Sequence, residues 1–511
     1  MTTSESRSSG QVTATGPLTV SATNPRYFTA AGDTAGRKAV YLTGSHIWNN
    51  LHDGMGPGTG CAETPERLDY DAYLDFLVDH GHNFIRLWRW EQFKSQAAAG
   101  DFHLCMTPQP WMRTGPGTAT DGKPRFDLDQ FDTAFFQRLR DRVVAAGRRG
   151  IYVAVMLFDG FGLHLSPAPD HVEGHPFHAV NNVNGVGIGS IVDYQVLPLD
   201  PRVQQLQEAY IRKVVDTLHD LPNLLWEVAN ESSGGGKADP AFAQMLGLAD
   251  IPEWGDSTAW QYWVIDTVKR HEAERGYQRH PIGMTMQFPV PTQTAVNQPL
   301  YASQAEWISP GYDDEVFADG GHPMAPGSPQ SRWLEDPPPA DGHKVVISDT
   351  DHYARGGDAL WAWKSFLRGH HPILMDYGLI GGVNPADPSA GGPMSYAAFE
   401  PARDAMGDTL RFAERVNLIE MQPLAGLSST GYALANPGEE YLVLQPSGAA
   451  DPFTVLLEPG TYSPEWFGIE ARQRVPGEAT TVDRSTATSF RRPSELPGPA
   501  VLYLKRAVTA M

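Results

Sequence analysis

Short apolar runs alternate with longer amphipathic stretches along the first four-fifths of the chain. The runs are AVYLTG (39–44), NFIRLWRW (83–90), IYVAVMLFD (151–159), NLLWEVANE (223–231), PIGMTMQF (281–288), SQAEWIS (303–309), KVVISDTD (344–351) and PILMDYG (372–378). Their length and their β-branched and aromatic content predict strands. Helical patterns lie between many of them, among them DYDAYLDFLVDHG, DQFDTAFFQRLRDRVVAAGRRG, VQQLQEAYIRKVVDTLHD and STAWQYWVIDTVKRHEAERG, and ARDAMGDTLRFAERVNLIE follows the last. Several end in Gly or His-Gly, a helix stop signal. Eight strands alternating with helices predict an α/β fold of the (β/α)₈, or TIM-barrel, type. A doubly wound open sheet is the structural alternative.

Near residue 424 the pattern changes. YALANPGEEYLVLQ, FTVLLEPGTYSPEWFG and AVLYLKR are short alternating strands with Pro-Gly turns and no helical run, which predicts a small antiparallel β-sandwich. The expected division is an N-terminal segment, 1–23, without structure, a barrel over 24–423 and a sandwich domain over 424–511. Long segments at 91–126, 160–200, 232–253 and 310–343 each follow a strand. In a barrel these loops share the C-terminal face, where active sites are built. Their Trp, His and Asn content predicts order and partial burial.

Composition narrows the partners. A formal charge of −21 argues against nucleic acid and anionic membrane and suits a neutral polar substrate. No run reaches the length of a membrane span. Cys61 and Cys105 are the only cysteines, too few for a Cys-based zinc site, and they argue against a disulfide framework. MTTSESRSSGQVTATG lacks the charged and apolar regions of a signal peptide, so a cytoplasmic location is expected. A homo-oligomer stays open.

The chemistry starts in NLLWEVANESSGGG (223–236), where Glu227 sits inside an apolar run and Glu231 at its end. A buried carboxylate is costly unless it is paired or its perturbed pKa is used. KVVISDTDHY supplies Asp349 and Asp351, two residues apart and so on one strand face. Carboxylates flanking a cleft are what glycosidic cleavage needs: one protonates the leaving oxygen, the other attacks the anomeric carbon or activates water. Glu231 is the expected acid. Glu227, of the same strand parity, is expected to pair with an arginine inside the barrel.

WEVANE resembles the fourth-strand signature of the large clan of retaining (β/α)₈ glycoside hydrolases, and NFIRLWRW resembles that clan's second strand. The resemblance covers roughly residues 24–420, and the C-terminal part resembles the β-sandwich often appended to these enzymes. It implies Glu231 as acid/base, Asn230 at the sugar hydroxyl beside the anomeric carbon and Arg86 in support of the nucleophile. The chain departs at strand seven, where the clan carries Glu and this sequence offers Asp349 or Asp351. Asp349, at the end of KVVIS, is the expected nucleophile, with retention. Asp351, one pleat further out, is expected as a water-activating base or a hydroxyl partner.

Other residues become candidates for substrate binding by position. His46 and Trp48, after strand one, form either a sugar-stacking wall or packing beneath a loop. Asp159, Gln287, Glu306, Trp307 and Asp376 end other strands, and His352 follows Asp351. GVGIGS and GGGK lack the context of a dinucleotide or phosphate loop. His171, His175 and His178 have near-ligand spacing, but Gly174 and Pro176 oppose the helix a zinc face needs. No metal and no cofactor are expected, although DTDH and GHH keep a metal-dependent hydrolase as the rival. A non-catalytic sugar-binding protein is the third reading. The expectation is an exo-acting glycoside hydrolase whose partner is a small oligosaccharide or glycoside.

Overall fold

Eight parallel strands, β1 (Gly44–His46), β2 (Phe84–Leu87), β3 (Tyr152–Asp159), β4 (Leu224–Asn230), β5 (Ile282–Thr285), β6 (Trp307–Ser309), β7 (Val345–Asp349) and β8 (His371–Met375), form one sheet in sequential order from β2 to β8, with β8 then pairing β1. The seam between β1 and β2 is drawn together by the Asn83 N–H on the Thr43 carbonyl (2.9 Å). Two side chains reinforce it: Asn83 Oδ1 accepts from the Thr43 N–H (2.9 Å) and His82 Nδ1 from the Ser45 N–H (3.2 Å). The barrel is thus nearly closed. The computed structural model describes residues 13–33, 35–57, 67–96, 102–164, 172–236, 254–318, 321–325, 327–353, 356–380, 382–449 and 451–507.

After each strand comes a helix: α1 (Tyr70–Asp79), α2 (Thr133–Gly147), α3 (Pro201–Leu218), α4 (Thr258–Arg275), α5 (Gln298–Ala302), α6 (Arg332–Glu335), α7 (Ala359–Leu367) and α8 (Tyr396–Arg415). Aspartates start several of them because the side chain accepts the orphan N–H groups of the first turn. Asp69, Asp132, Asp200 and Asp358 cap α1, α2, α3 and α7 in this way. Every residue of β2, β3, β4, β7 and β8 is buried, as parallel strands covered on both faces require.

At the N-terminal end of the barrel an apolar layer joins Leu42, Phe84, Leu225, Trp307, Val345, Ile347 and Ile373 to Ala14, Leu18 and Phe28. Residues 13–23, expected to lack structure, therefore contribute order: Leu18–Val20 pairs antiparallel with Phe28–Ala30, and Leu18 is fully buried. Residues 1–12 lie outside the described residues. The physical reason is coverage, since the open end of a barrel exposes apolar side chains unless another segment lies across it. The first strand also shifts. Of the run 39–44, Val40 forms only an isolated bridge with Phe28, and the barrel strand begins at Gly44.

The segment after β2 is built rather than loose. It contains Trp111–Thr118 paired with Pro124–Phe131, and Phe102–Thr107 paired with Asp53–Pro57 from the loop after β1. Cys105, on the latter strand, is disulfide-bonded; Cys61 lies outside the described residues. No helix among the described residues is long and apolar enough to cross a membrane.

From Gln422 onward a seven-stranded antiparallel sheet forms, and the ribbon of Phe453–Leu457 with Thr486–Phe490 accompanies it. One face packs Tyr441, Val443, Trp466 and Leu502 with Val455, Leu457 and Phe490 of the ribbon. The other face, with Leu442, Leu444, Phe467 and Val501, joins the hydrophobic core of the barrel. Phe467 meets Trp363 of α7 at 5.6 Å and Phe412 of α8 at 5.4 Å between ring centroids.

Candidate active site

Arg86 on β2 organises the C-terminal end of the barrel. Its Nε and Nη2 donate to Glu227 of β4 at 2.9 and 2.5 Å, Nη2 also to Asn230 Oδ1 at 2.7 Å, and Nη1 to Asp349 of β7 at 2.8 Å. All three charged side chains are fully buried, and the guanidinium lies 5.0 Å over the Trp88 ring. Glu227 is thus the interior carboxylate paired with an arginine that strand parity predicts.

Asp349 has its lone pairs occupied. Besides Arg86 it binds His46 Nε2 at 2.9–3.0 Å, and its Oδ1 accepts the Asp351 N–H at 3.0 Å. Burial alone would raise its pKa, but His46 and Arg86 outweigh that and hold the carboxyl well below the usual range. Asp351, on the turn Thr350–Tyr353, is different. Its nearest cation, Arg86 Nη1, is 3.7 Å away, and its Oδ2 has no hydrogen-bond partner among the described residues. Burial, then the charge of Asp349, push its pKa up to about 8, with Arg86 working against them.

Glu231 directly follows β4 with φ at +46°, a left-handed backbone that a side chain seldom adopts. Its neighbours hold it there: the Gly160 N–H donates to Asn230 O (2.8 Å), the Phe288 N–H to Ser232 O (3.1 Å), and Ser232 Oγ to Gln195 Oε1 (2.9 Å). Such strain costs about 1–3 kcal/mol and concentrates at functional sites. Burial first, then Asp351, raise the Glu231 pKa well above the carboxylate range. One oxygen each of Glu231 and Asp351 and one nitrogen of His352 lie within 4.8 Å of one another, a set able to hold a divalent cation. A second such group, His80, Glu400 and Asp404, joins α1 to α8. There Glu400 already binds His80 (3.0 Å) and Arg403 (2.9 Å), and Asp404 binds Arg472.

His352 is buried, with Nδ1 2.8 Å from Ser309 Oγ of β6. Asp159 ends β3 beside this group; its Oδ2 accepts the Gly162 N–H (3.1 Å), and burial, then Glu91, raise its pKa well above the usual range. Trp48 stands edge-on to Tyr377 (5.3 Å) and Trp90 (6.3 Å). His46 is fully buried beneath, stacked on Trp88 and bound to Asp349, so it supports a carboxylate instead of forming a wall.

Four positional candidates fall elsewhere. Trp307 begins β6 and fills the N-terminal end of the barrel, its ring 1.9 Å from where a Cβ on Gly283 would stand. Glu306 precedes β6, accepts the Ile282 N–H (3.0 Å) and pairs with Lys269. The strand in the run 303–309 is shorter than the apolar pattern implies, because only Trp307–Ser309 pairs with the barrel. Asp376 is held bidentate by Arg403 at 2.7 Å. Gln287 donates to Thr258 Oγ1 (2.9 Å) and anchors a loop.

The sequence reading missed Ser309, Tyr377 and a buried cluster around Glu91. Glu91 accepts from Tyr194 (2.6 Å) and from the Asp159 N–H (2.8 Å), and meets His175 at 3.3 Å. A charged pair in the apolar run WRWE was the available signal. His175 thereby leaves the metal-ligand candidates, and His171 lies outside the described residues.

Comparison with known proteins adds the fold's company. Residues 94–271 match a domain of unknown function (DUF6298). A search of curated proteins returns no match. Among solved structures, one described as a glycoside hydrolase aligns with TM-score 0.57 and 13% identity over 96% of this chain and 97% of its own. A glycoside hydrolase family 5 protein from Bacteroides vulgatus aligns with TM-score 0.58 and 13% identity over 97% of this chain and 95% of its own. This chain shares the fold of these glycoside hydrolases, barrel and C-terminal sheet together, over nearly its whole length.

Proposed function

We propose that the protein is a retaining glycoside hydrolase in which Glu231 is the acid/base and Asp351 the nucleophile. The carrying observation is the pair's separation, with an oxygen of each within 4.8 Å of the other. Retention needs carboxyls about 5–5.5 Å apart, whereas inversion needs about 6.5–9.5 Å to admit water. The two carboxyls titrate as a pair, and catalysis runs from the form in which Glu231 holds the proton and Asp351, with Arg86 Nη1 3.7 Å away, is ionised. Glu231 then holds the proton and delivers it to the leaving oxygen while Asp351 forms the bond to the anomeric carbon. In the second half, the Glu231 carboxylate takes a proton from water, whose oxygen displaces Asp351.

Asp349 serves here as a buried anchor, because its oxygens already accept from Arg86, His46 and the Asp351 N–H. Glu227, Asp349 and Asp351 around one arginine leave the site net negative, which favours an oxocarbenium-like transition state. Asn230 and the Trp48–Tyr377 edge suit a sugar's hydroxyl and apolar face. The excursions joined through Asp53–Pro57 and Phe102–Thr107 favour a short glycoside and exo action.

The test is a panel of aryl glycosides, with the anomer of the first product followed by NMR. Retained product is expected; inverted product refutes the mechanism. Glu231→Gln should lose about 10²–10⁴-fold on poor leaving groups. Asp351→Ala with azide should give a glycosyl azide of inverted configuration. If Asp349→Ala behaves so and Asp351→Ala stays active, the aspartates are exchanged. The rival metal-dependent hydrolase draws on the proximity of His352 to both carboxylates. Exhaustive chelation leaves activity intact if carboxylates do the chemistry; loss restored by zinc or manganese would favour the rival.

A further inference from the structure

Two adjacent side chains after β7 carry buried polar atoms with no hydrogen-bond partner among the described residues: Oδ2 of Asp351 and Nε2 of His352. His352 is fully buried, and its ring nitrogen lies within 4.8 Å of oxygens of both Asp351 and Glu231. Buried polar groups in folded proteins are paired, so orphans beside a reacting pair mark the place of a bound group.

The Ser309 hydroxyl, 2.8 Å from Nδ1, can serve either imidazole tautomer, so the choice falls to the carboxylate side of the ring. In the catalytic form, a lone pair on Nε2 beside the ionised Asp351 carboxylate would be repelled, whereas an N–H there is attracted. The favoured arrangement has Ser309 O–H donating to Nδ1 across their 2.8 Å contact, with the imidazole proton on Nε2. Burial, then Arg86, hold the imidazole pKa down near 3, so the ring adds no positive charge where an oxocarbenium ion develops. A donor and an acceptor side by side match a group that both accepts and donates, which among sugar substituents is a hydroxyl. A protonated Nε2 has no lone pair for a metal ion.

We infer that His352 Nε2–H and Asp351 Oδ2 together read one ring hydroxyl of the sugar in the glycone subsite, with the Ser309 O–H supporting Nδ1 as the acceptor. This deepens the proposed glycosidase reading and rests on it. Ser309 is a positioning residue; His352 contacts substrate.

The experiment compares wild type and His352→Ala on an aryl glycoside and its monodeoxy analogues. In wild type, deletion of one particular hydroxyl should cut kcat/KM at least about 100-fold, since a site built to bond a hydroxyl strongly rejects the analogue lacking it. In His352→Ala that penalty should shrink at least about tenfold, with the other positions unchanged, and His352→Gln should keep part of it. If no deoxy position is coupled to His352, the inference falls while the glycosidase reading stands. If wild type hydrolyses no glycoside, both fall. Independently of turnover, ¹⁵N NMR should find the His352 proton on Nε2 and a shift toward Nδ1 in Ser309→Ala. Wild type protonated at Nδ1 overturns the assignment.

Discussion

Asp349 and Asp351, two residues apart, are driven in opposite directions by what surrounds them. Asp349 is held down by His46 and Arg86, so its ionised form contributes stability above the unfolded pKa that is lost as pH falls. Asp351 is raised to about 8, so the proton it keeps in the folded state stabilises fully below the unfolded pKa near 3.9 and ceases to as pH rises through 8. The two amide variants should therefore differ in sign. Asp351→Asn removes the cost of a poorly paired charge, and its stability advantage over wild type should grow from pH 5 to pH 9. Asp349→Asn leaves Arg86 and His46 short of a partner and should lose about 3–5 kcal/mol at neutral pH. Urea unfolding at pH 5, 7 and 9 measures both; an Asp351→Asn advantage that stays flat or shrinks with pH contradicts the assignment. A strand-face argument put both aspartates on one side but could not separate them. Their difference comes from side chains of β1 and β2, far away in sequence.

Among the elements, β5 and β6 show how closely the lower barrel is fitted. Gly283 leaves the space that the Trp307 ring occupies, with an added Cβ only 1.9 Å from a ring atom. Overpacking of this kind typically costs about 1–3 kcal/mol. Gly283→Ala should lose about that much, and exchanging the indole for a smaller ring in Gly283→Ala/Trp307→Phe should recover part of it, a coupling that denaturant melts of the single and double variants would expose. Additive losses would mean that the two positions do not share the space. The same pair explains the misplaced site candidates in SQAEWIS. An apolar run identifies a strand without saying which of its ends lies at the C-terminal face, and here β6 is only Trp307–Ser309. Ser309, which does reach that face, carried no signal in the sequence.

Across the whole molecule, the barrel and the C-terminal sheet share a core. Phe467 packs against α7 and α8, Arg415 pairs with Glu465, and Arg472 binds Asp408 at 3.0 Å. Phe467→Ala should cost about 3–5 kcal/mol and lower the melting of barrel and sheet together in one calorimetric transition. Two separated transitions, with the barrel unmoved, would show that the sheet folds on its own.

What the sequence determined by itself was set by local pattern. Apolar runs of strand length between capped helices implied eight strands and their order, Pro-Gly turns implied the antiparallel sheet, and Glu231 at the end of an otherwise apolar strand stood out because a buried carboxylate is costly. Tertiary structure alone decided the rest. It brought Arg86 to Glu227 and Asp349, laid Leu18 across the end of the barrel, turned Asp376 toward Arg403, and set Asp351 and His352 against Glu231. The physical reason is range. Strand and helix follow from neighbours a few residues apart, whereas the ionisation and aim of a carboxyl depend on charges and donors that only the closed barrel brings within a few ångströms.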